Sequence, residues 1–205
     1  RYLNELARTN PSRLPKAEQL AFWINAYNAY TIQQINAHGE RESIRNINRT
    51  LGMLSTGGAW KEPMASIGGR RYTLDQIEHQ QIRPVFHDPR VHFALVCAAR
   101  GCPPLRSEAF RGEAIEQQLD DQARRFLVLS PAKNRMDAAK ATAFLSPIFK
   151  WYAADFGATD EARQRFIARF LPAGAARDLL MSGRARVVWT DYAGALHILS
   201  NTGPR

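Results

Sequence analysis

Cysteine and long apolar runs are scarce in this sequence. The 205 residues contain two cysteines, Cys97 and Cys102, and the longest uninterrupted apolar run covers residues 93–99. A membrane-spanning helix needs roughly 20 predominantly apolar residues in a row. We therefore expect a soluble chain with no membrane span.

Clustered positive charge is also missing, although the net charge is +9. Lysine and arginine are scattered along the whole sequence and interleaved with acidic residues, as in the run that holds Asp120, Asp121, Arg124 and Arg125. A nucleic-acid-binding protein normally collects its basic residues in a patch or a recognisable motif. We predict a solvated, arginine-rich surface and no nucleic-acid partner.

Internal repeats, low-complexity segments and domain linkers are absent as well, and 205 residues are enough for one sizeable core. The sequence predicts a single domain over residues 1–205. Hairpins around one central strand, with helices grouped about them, indicate an α+β fold that is helix-rich, with a small, mostly antiparallel sheet. The predicted elements are a buried helix over 16–37, a hairpin over 64–73, a helix over 73–83 that ends at Pro84, a strand over 90–97, helices over 113–129 and 146–157, and a C-terminal helix and hairpin over 159–199.

The strongest helix pattern lies near the start of the chain. Between Lys16 and Ala37 the sequence has good helix formers, no internal glycine or proline, and a stop at residues 38–39. Apolar side chains cover nearly the whole circumference, which indicates a buried helix. Asn25 and Asn28 lie among them. Because a buried amide is costly unless it is hydrogen-bonded, we expect both amides to hold backbone or a loop of the site in place.

The helix predicted over residues 73–83 carries several titratable side chains. Asp75 and His79 are four residues apart and share a face, so the carboxylate could orient the imidazole. Glu78 points about 100° away from His79, and Arg83 follows His79 by four residues. The alternative is a partly exposed helix of ordinary charged residues.

Both cysteines flank a turn at the end of the predicted central strand. Alternate residues of a strand point to opposite faces, so His92 is expected to face away from Cys97. His79, on a helix with two acids, is then the remaining partner by elimination. The resulting hypothesis is a Cys97 thiolate nucleophile deprotonated by His79, with an acid or amide orienting His79 and backbone N–H groups of residues 98–101 holding an oxyanion.

Three other interpretations of the cysteines stay open. A pair with four residues between them can close a disulfide in an oxidising compartment. Zinc binding is the second, although the usual Cys-x2–4-Cys followed by paired histidines is missing. The third is simple burial, since free cysteine is among the most buried residue types.

Four segments of the sequence together resemble the family called domain of unknown function 547. They occur in the family's order and cover most of residues 17–157: LAFWINAYNAYTI (20–32), YTLDQIEHQQIR (72–83), DPRVHFALVCAARGCPPL (88–105) and SPIFKWYAADFG (146–157). The resemblance implies a set of motif positions, which are Trp23, Asn25, Asn28, Glu78, His79, His92, Cys97, Cys102 and Pro103.

The resemblance also implies a setting. Family members occur in bacteria, often as exported proteins, and in plants beside leucine-zipper segments; this chain has no sustained heptads and so resembles the bacterial kind, with a periplasmic or exported location. A plant-type motif tends to carry serine at the place of Cys102, which favours Cys97 as the principal thiol. Family members usually extend further at the N-terminus than Arg1, so a preceding segment is expected.

From these features we predict a cysteine-dependent hydrolase or acyl transferase that acts on an amide, peptide or thioester-type substrate. Its catalytic residues would be Cys97, His79 and Glu78, and its fold would be papain- or transglutaminase-like in a permuted order, because histidine precedes cysteine here. The supporting residues would be Asp75, Asn25, Asn28, Trp23, Arg83, His92 and Cys102. The alternative is a non-catalytic peptide- or ligand-binding or scaffold module with structural cysteines. Either function takes a peptide or small molecule and requires no cofactor or metal ion.

Overall fold

The computed structural model describes residues 1–47 and 58–196, which form an α+β fold with two small sheets. The helices are α1 (Tyr2–Arg8), α2 (Lys16–Ala37), α3 over residues 74–86, α4 (Ile115–Val128), α5 (Ile148–Trp151), α6 (Ala153–Phe156), α7 (Asp160–Ala168) and α8 (Ala175–Ser182). The strands are β1 (Ala65–Ile67), β2 (Arg70–Tyr72), β3 (Arg135–Asp137), β4 (Thr142–Leu145) and β5 (Arg186–Trp189). Within the described ranges, no helix has the length and apolar character needed to cross a bilayer.

Helix α2 lies at the centre of the larger hydrophobic core, and its bounds are those predicted. Its buried residues lie on several sides of the helix, because apolar side chains surround the axis. They pack with Ile67 of the first hairpin, Ile77 of α3 and Leu119 of α4. Full burial of one such aliphatic side chain contributes about 2 kcal/mol. The helix is therefore the fixed base on which the site segments rest.

The first hairpin also follows the prediction. Strands β1 and β2 pair antiparallel, with Ile67 opposite Arg70. The turn residues Gly68 and Gly69 have φ of 55° and 78°, the left-handed conformation that a tight two-residue hairpin turn requires. Thr73 then begins α3 through the predicted capping box with Gln76.

Helix α3 differs from the prediction in its middle and at its end. It is α-helical over Leu74–Gln76, π-helical over Ile77–Ile82, and α-helical again over Arg83–Phe86. The helix thus continues past Pro84. A π turn is wider than an α turn, so the proline ring avoids the carbonyl four residues earlier that would end a regular α-helix.

The prediction of a central strand over residues 90–97 is wrong. Pro89–Phe93 instead forms a short 3₁₀ helix, since Pro89 presets φ and the Asp88 carboxylate accepts a hydrogen bond from the backbone N–H of Arg90 at 2.9 Å. The backbone of residues 94–96 is hydrogen-bonded by a side-chain amide instead of by a neighbouring strand. Asn28 Nδ2 donates to the Ala94 carbonyl and Asn28 Oδ1 accepts from the Val96 N–H, both at 2.9 Å. A side-chain amide offers the same donor and acceptor as a peptide unit.

The apolar run in this segment has a different origin from the one predicted. Val91 and Leu95 pack into the core around α2. Phe93 packs into a second core, where its ring centroid lies 5.4 Å from that of Phe126 and 5.8 Å from that of Phe149. The segment is apolar on all sides because it lies between two cores, not because it is a strand.

The second sheet has the order β3-β4-β5, with β3 and β4 antiparallel and β4 and β5 parallel. The described residues of the predicted terminal hairpin pair elsewhere: β5 pairs with β4, and Leu196 pairs with Ala99. Residues 197–199 of the predicted second arm lie outside the described residues. Three- and four-residue strands such as β3 and β4 are too short for alternation to reveal them in the sequence.

Most helices in the C-terminal half follow the prediction. Helix α4 lies within its predicted range, and Thr159 caps α7 by accepting a hydrogen bond from the Ala162 N–H at 3.2 Å. The helix predicted over 146–157 is divided at Tyr152 into α5 and α6, and α8 is an additional helix.

Candidate functional site

A cavity of about 250 Å³ gathers side chains from both halves of the chain. Glu78 and His79 from the π-helical turn lie on one side, and Cys97 and Cys102 on another. The aromatic residues that line it are Tyr27, Trp60, Trp151, Tyr152 and Tyr192. The volume is slightly below the roughly 300 Å³ at which pockets for drug-sized ligands begin, so the cavity suits a smaller molecule.

The two cysteines form a disulfide in the wall of this cavity. Closing a ring of about six residues removes unfolded-chain entropy worth about 2 kcal/mol. The Tyr192 hydroxyl lies 3.1 Å from Cys97 Sγ and 3.0 Å from Cys102 Sγ; because a disulfide carries no S–H, the hydroxyl is the donor. Burial raises the pKa of Tyr192 to about 12, which keeps that donor protonated.

The disulfide turn is also fixed by backbone contacts. The N–H of Arg100 donates to the Ala195 carbonyl at 2.7 Å, and the N–H of Gly101 donates to the Ala193 carbonyl at 2.8 Å. A Cβ added to Gly101 would lie 2.8 Å from the Tyr192 ring, so only glycine fits beneath it. The expectation that N–H groups of residues 98–101 form an oxyanion hole therefore fails for these two, which already have acceptors.

The predicted Cys97–His79 dyad is not formed in this state. Cys97 has no thiol, because its sulfur is bonded to Cys102. Both ring nitrogens of His79 face other groups: Nδ1 lies 2.8 Å from Arg83 Nη1, and Nε2 lies 3.5 Å from Asp75 Oδ1. Arginine has no acceptor, so Nδ1 accepts and Nε2 carries the proton that faces Asp75. The predicted shared face of Asp75 and His79 is confirmed, while the cysteine and the histidine only border the same cavity.

The prediction that His92 faces away from Cys97 is wrong. His92 lines the same cavity as Cys97, because residues 89–93 are helical and alternation does not apply to them. Its Nε2 lies 2.6 Å from Asp155 Oδ2, and its ring stacks on Tyr152 with centroids 3.8 Å apart. Tyr152 and Asp155 are three residues apart and lie on the same side of this helical segment, so both reach His92.

Arg83 holds Asp155 ionised beside this histidine, while burial sets the charge state of the imidazole. Arg83 Nε and Nη2 donate to the two Asp155 oxygens at 2.7 Å and 2.9 Å, and this pairing lowers the pKa of Asp155 to about 2. Burial lowers the pKa of His92 to about 4 despite the carboxylate beside it. At neutral pH His92 is therefore uncharged, with its proton on Nε2 toward Asp155 and its Nδ1 lone pair toward Glu78.

Glu78 is the buried acid of the cavity. It is 6% exposed, and its Oε1 lies 3.9 Å from His92 Nδ1. Burial raises its pKa, partly offset by His79, by the Tyr152 hydroxyl and by Arg83. Within the described ranges it forms no ion pair with lysine or arginine. A carboxyl group held in this way is a candidate for binding a cation or for transferring a proton.

The other predicted supporting residues lie away from the cavity wall. Asn25 holds backbone, as expected, since its amide bonds both the N–H and the carbonyl of Phe110 at 2.9 Å and 2.8 Å. Trp23 is buried against Tyr72, with ring centroids 5.5 Å apart. Asn28 and Arg83 support the site without lining the cavity. Asn28 holds the backbone of residues 94–96, and Arg83 holds Asp155.

Several residues of the site were missed from the sequence: Arg45, Tyr152, Asp155 and Tyr192. One signal was available, because Asp155 is the single acidic residue of the aromatic segment 146–157. The density of aromatic residues at helical spacing there indicates core packing, which is true of Phe149 and Phe156 but is not the whole role of Tyr152. Arg45 and Tyr192 stand in segments without a recognisable pattern.

Metal coordination has no candidate in the described ranges. No group of three or more histidine, cysteine, aspartate or glutamate side chains there is arranged to hold an ion. Both cysteine sulfurs, which the zinc interpretation required, are bonded to each other.

Comparison with known proteins places the chain in a family. No curated protein and no solved structure matches it, so the papain- or transglutaminase-like arrangement is not confirmed. A family model, described as "Protein of unknown function, DUF547", matches residues 11–127. This range covers more than half of the chain and includes the first three of the four segments named above. The chain therefore belongs to the DUF547 family.

Proposed function

We propose that this chain is a binding module for a small polar molecule or the end of a peptide, with the Cys97–Cys102 disulfide as a structural part of its pocket. The observation that carries the proposal is the composition of the cavity: a buried carboxyl, Glu78, stands among aromatic rings, and the nearby sulfurs are already bonded to each other. Pockets of this kind bind through apolar walls and a few placed polar groups. A disulfide of this type suits an exported protein.

Ligand binding should be visible at two of the four tryptophans. Trp60 and Trp151 line the cavity, whereas Trp23 and Trp189 do not. When a library of polar fragments is titrated and the indole N–H signals are followed by NMR, we expect hits to shift the first pair and leave the second pair in place. Shifts confined to Trp23 or Trp189, or no shift with any fragment, would contradict the proposal.

A matched pair of variants sharpens this test. Trp151 is 52% exposed and Trp189 is 38% exposed, so alanine at either position leaves the core intact. We expect Trp151→Ala to weaken fragment binding about tenfold, the loss of roughly 1.4 kcal/mol of aromatic contact. Trp189→Ala should bind as the unaltered protein does.

A second candidate function is the thiol hydrolase or acyl transferase, and one observation favours it. Cys97 and His79 border the same cavity, so a reducing agent that opens the disulfide would free a thiol near an acid-flanked imidazole. The Cys102→Ser variant leaves Cys97 as the single thiol of the chain, and its pKa can be measured from the pH dependence of alkylation.

The two functions predict different thiol titrations. A nucleophile activated by His79 requires a pKa below the ordinary value of about 8.5, and the pKa should rise when His79→Ala is added. His38→Ala is the matched control, since His38 is similarly exposed and pairs with Glu62 instead. A pKa at or above about 8.5 that does not respond to His79→Ala would exclude the thiol enzyme and leave the binding module.

A further inference from the structure

The charges that border the cavity are of opposite sign and do not neutralise each other. Glu78 is 6% exposed and faces the cavity. The His92 imidazole, whose Nδ1 lies 3.9 Å from Glu78 Oε1, is uncharged, and Arg83 is engaged by Asp155 and His79. The Glu78 carboxylate therefore has no lysine or arginine paired with it among the described residues, whereas Asp75, another carboxylate of the cavity wall, faces His79 Nε2 at 3.5 Å.

The rings around Glu78 favour a cation more than an anion. The faces of tryptophan and tyrosine carry negative partial charge, so they attract an ammonium group and repel a carboxylate. Trp60 and Trp151 line the cavity together with Glu78. A primary ammonium that enters here exchanges its water for a carboxylate and aromatic faces.

Arg45 supplies the complementary charge at another part of the border. Its guanidinium lies 5.6 Å from the centroid of the Tyr192 ring, close to the bare backbone of Gly194. In the described ranges it has no carboxylate partner and no contact with Glu78. It is exposed, so a ligand carboxylate can reach it without losing all of its water.

We propose that the pocket takes a dipeptide-sized zwitterion, with its N-terminal ammonium against Glu78 and its C-terminal carboxylate against Arg45. This assignment rests on the proposed function, and it names the ligand class of that same site. The ligand must span from one charge to the other, because Glu78 and Arg45 do not touch, and the volume of about 250 Å³ holds two small residues. A peptide group between the two charges packs against the aromatic walls.

Three probes that differ only in their end charges test the assignment by calorimetry. They are Ala-Ala, its C-terminal amide, which lacks the carboxylate, and N-acetyl-Ala-Ala, which lacks the ammonium. We expect Ala-Ala to bind about tenfold or more tightly than either blocked form. Equal affinity for all three, or binding of a blocked form alone, would overturn the assignment.

Variants assign each end of the ligand to its residue. Arg45→Gln should bind Ala-Ala and its amide equally while it still rejects N-acetyl-Ala-Ala, and Glu78→Gln should show the reverse pattern. Arg41→Gln, an exposed arginine that does not line the cavity, should bind all three probes as the unaltered protein does. The three-probe comparison on the unaltered protein decides the assignment even if Glu78→Gln fails to fold.

The failure of this inference is distinguishable from the failure of the proposed function. If Ala-Ala does not bind but other fragments shift the Trp60 and Trp151 signals, the pocket is a ligand site and the dipeptide assignment is wrong. If neither Ala-Ala nor any fragment affects those signals, both are wrong.

Discussion

Replacing Asn28 with alanine is expected to lower the free energy of unfolding by about 3 kcal/mol. The amide satisfies the Ala94 carbonyl and the Val96 N–H in a buried place where no strand is available to do so. Each buried backbone group left without a partner costs about 1–3 kcal/mol. Urea unfolding followed by circular dichroism measures the change.

The control for this prediction lies on the same helix. Asn36 is exposed near the end of α2, and Asn36→Ala should change stability by no more than about 0.5 kcal/mol. If Asn28→Ala costs less than about 1 kcal/mol, water or rearranged backbone replaces the amide, and Asn28 is not the element that fixes residues 94–96.

Acidification from pH 7 to pH 4 is expected to lower stability by up to about 3 kcal/mol through His92 alone. The pKa of His92 is lowered to about 4 in the folded chain, whereas an unfolded histidine titrates near 6.5. Below about pH 6.5 the unfolded chain binds a proton that the folded chain rejects, so stability falls until the folded pKa is reached and then levels off. Urea unfolding at intervals across this range measures the slope.

The carboxyl groups near His92 change the stability with pH in the opposite direction or in a different pH range. Glu78 has a raised pKa, so its folded form takes up a proton first and stability rises as pH falls through that pKa, opposing His92. Asp155 has a pKa lowered to about 2, so the stability it contributes is lost only below about pH 4, as pH falls towards 2. Tyr27, His79, Tyr152 and Arg83 also face this group; the two tyrosines have raised pKa values and remain neutral throughout.

Two variants separate the contribution of His92 to the pH dependence from that of the other groups. In Glu78→Gln the opposing contribution is absent, so the fall between pH 6.5 and pH 4 should become steeper. In His92→Gln the fall in that window should disappear, while the loss below pH 4 persists. A fall of unchanged size in His92→Gln would place its origin in other groups.

The sequence was sufficient for elements whose determinants are local. Helix α2, the Gly68-Gly69 turn and the Thr73 cap each depend on residues within a few positions of one another, and each has the predicted bounds or contacts. Residues 90–97 could not be predicted in this way. The partner of their backbone is a side chain 66 residues earlier in the chain, and an apolar run between two cores has the same appearance as a buried strand.

The site was predicted only in part, because some of its contacts are local in the sequence and others join distant residues. Glu78 and His79 were found because helical spacing places them, and both line the cavity. The orientation of His92 depends on Asp155, and the covering of the disulfide depends on Tyr192, which are contacts across 63 and 95 positions. The spacing of Cys97 and Cys102 in the sequence is compatible with either a thiol nucleophile or a disulfide. The folded chain brings the two sulfurs together as a disulfide.

The contact between Tyr192 and the disulfide has a consequence for the order in which the site is assembled. When the chain enters an oxidising compartment N-terminus first, Cys97 and Cys102 arrive about ninety residues before Tyr192, so their bond can form while the turn is still uncovered and open to an oxidant. The later arrival of residues 192–196 then seals it with the tyrosine hydroxyl and with the carbonyls of Ala193 and Ala195. The pocket is therefore completed by one of the last described stretches of the chain to be made, and a chain released before that point would carry the matched segment 11–127 without a finished site.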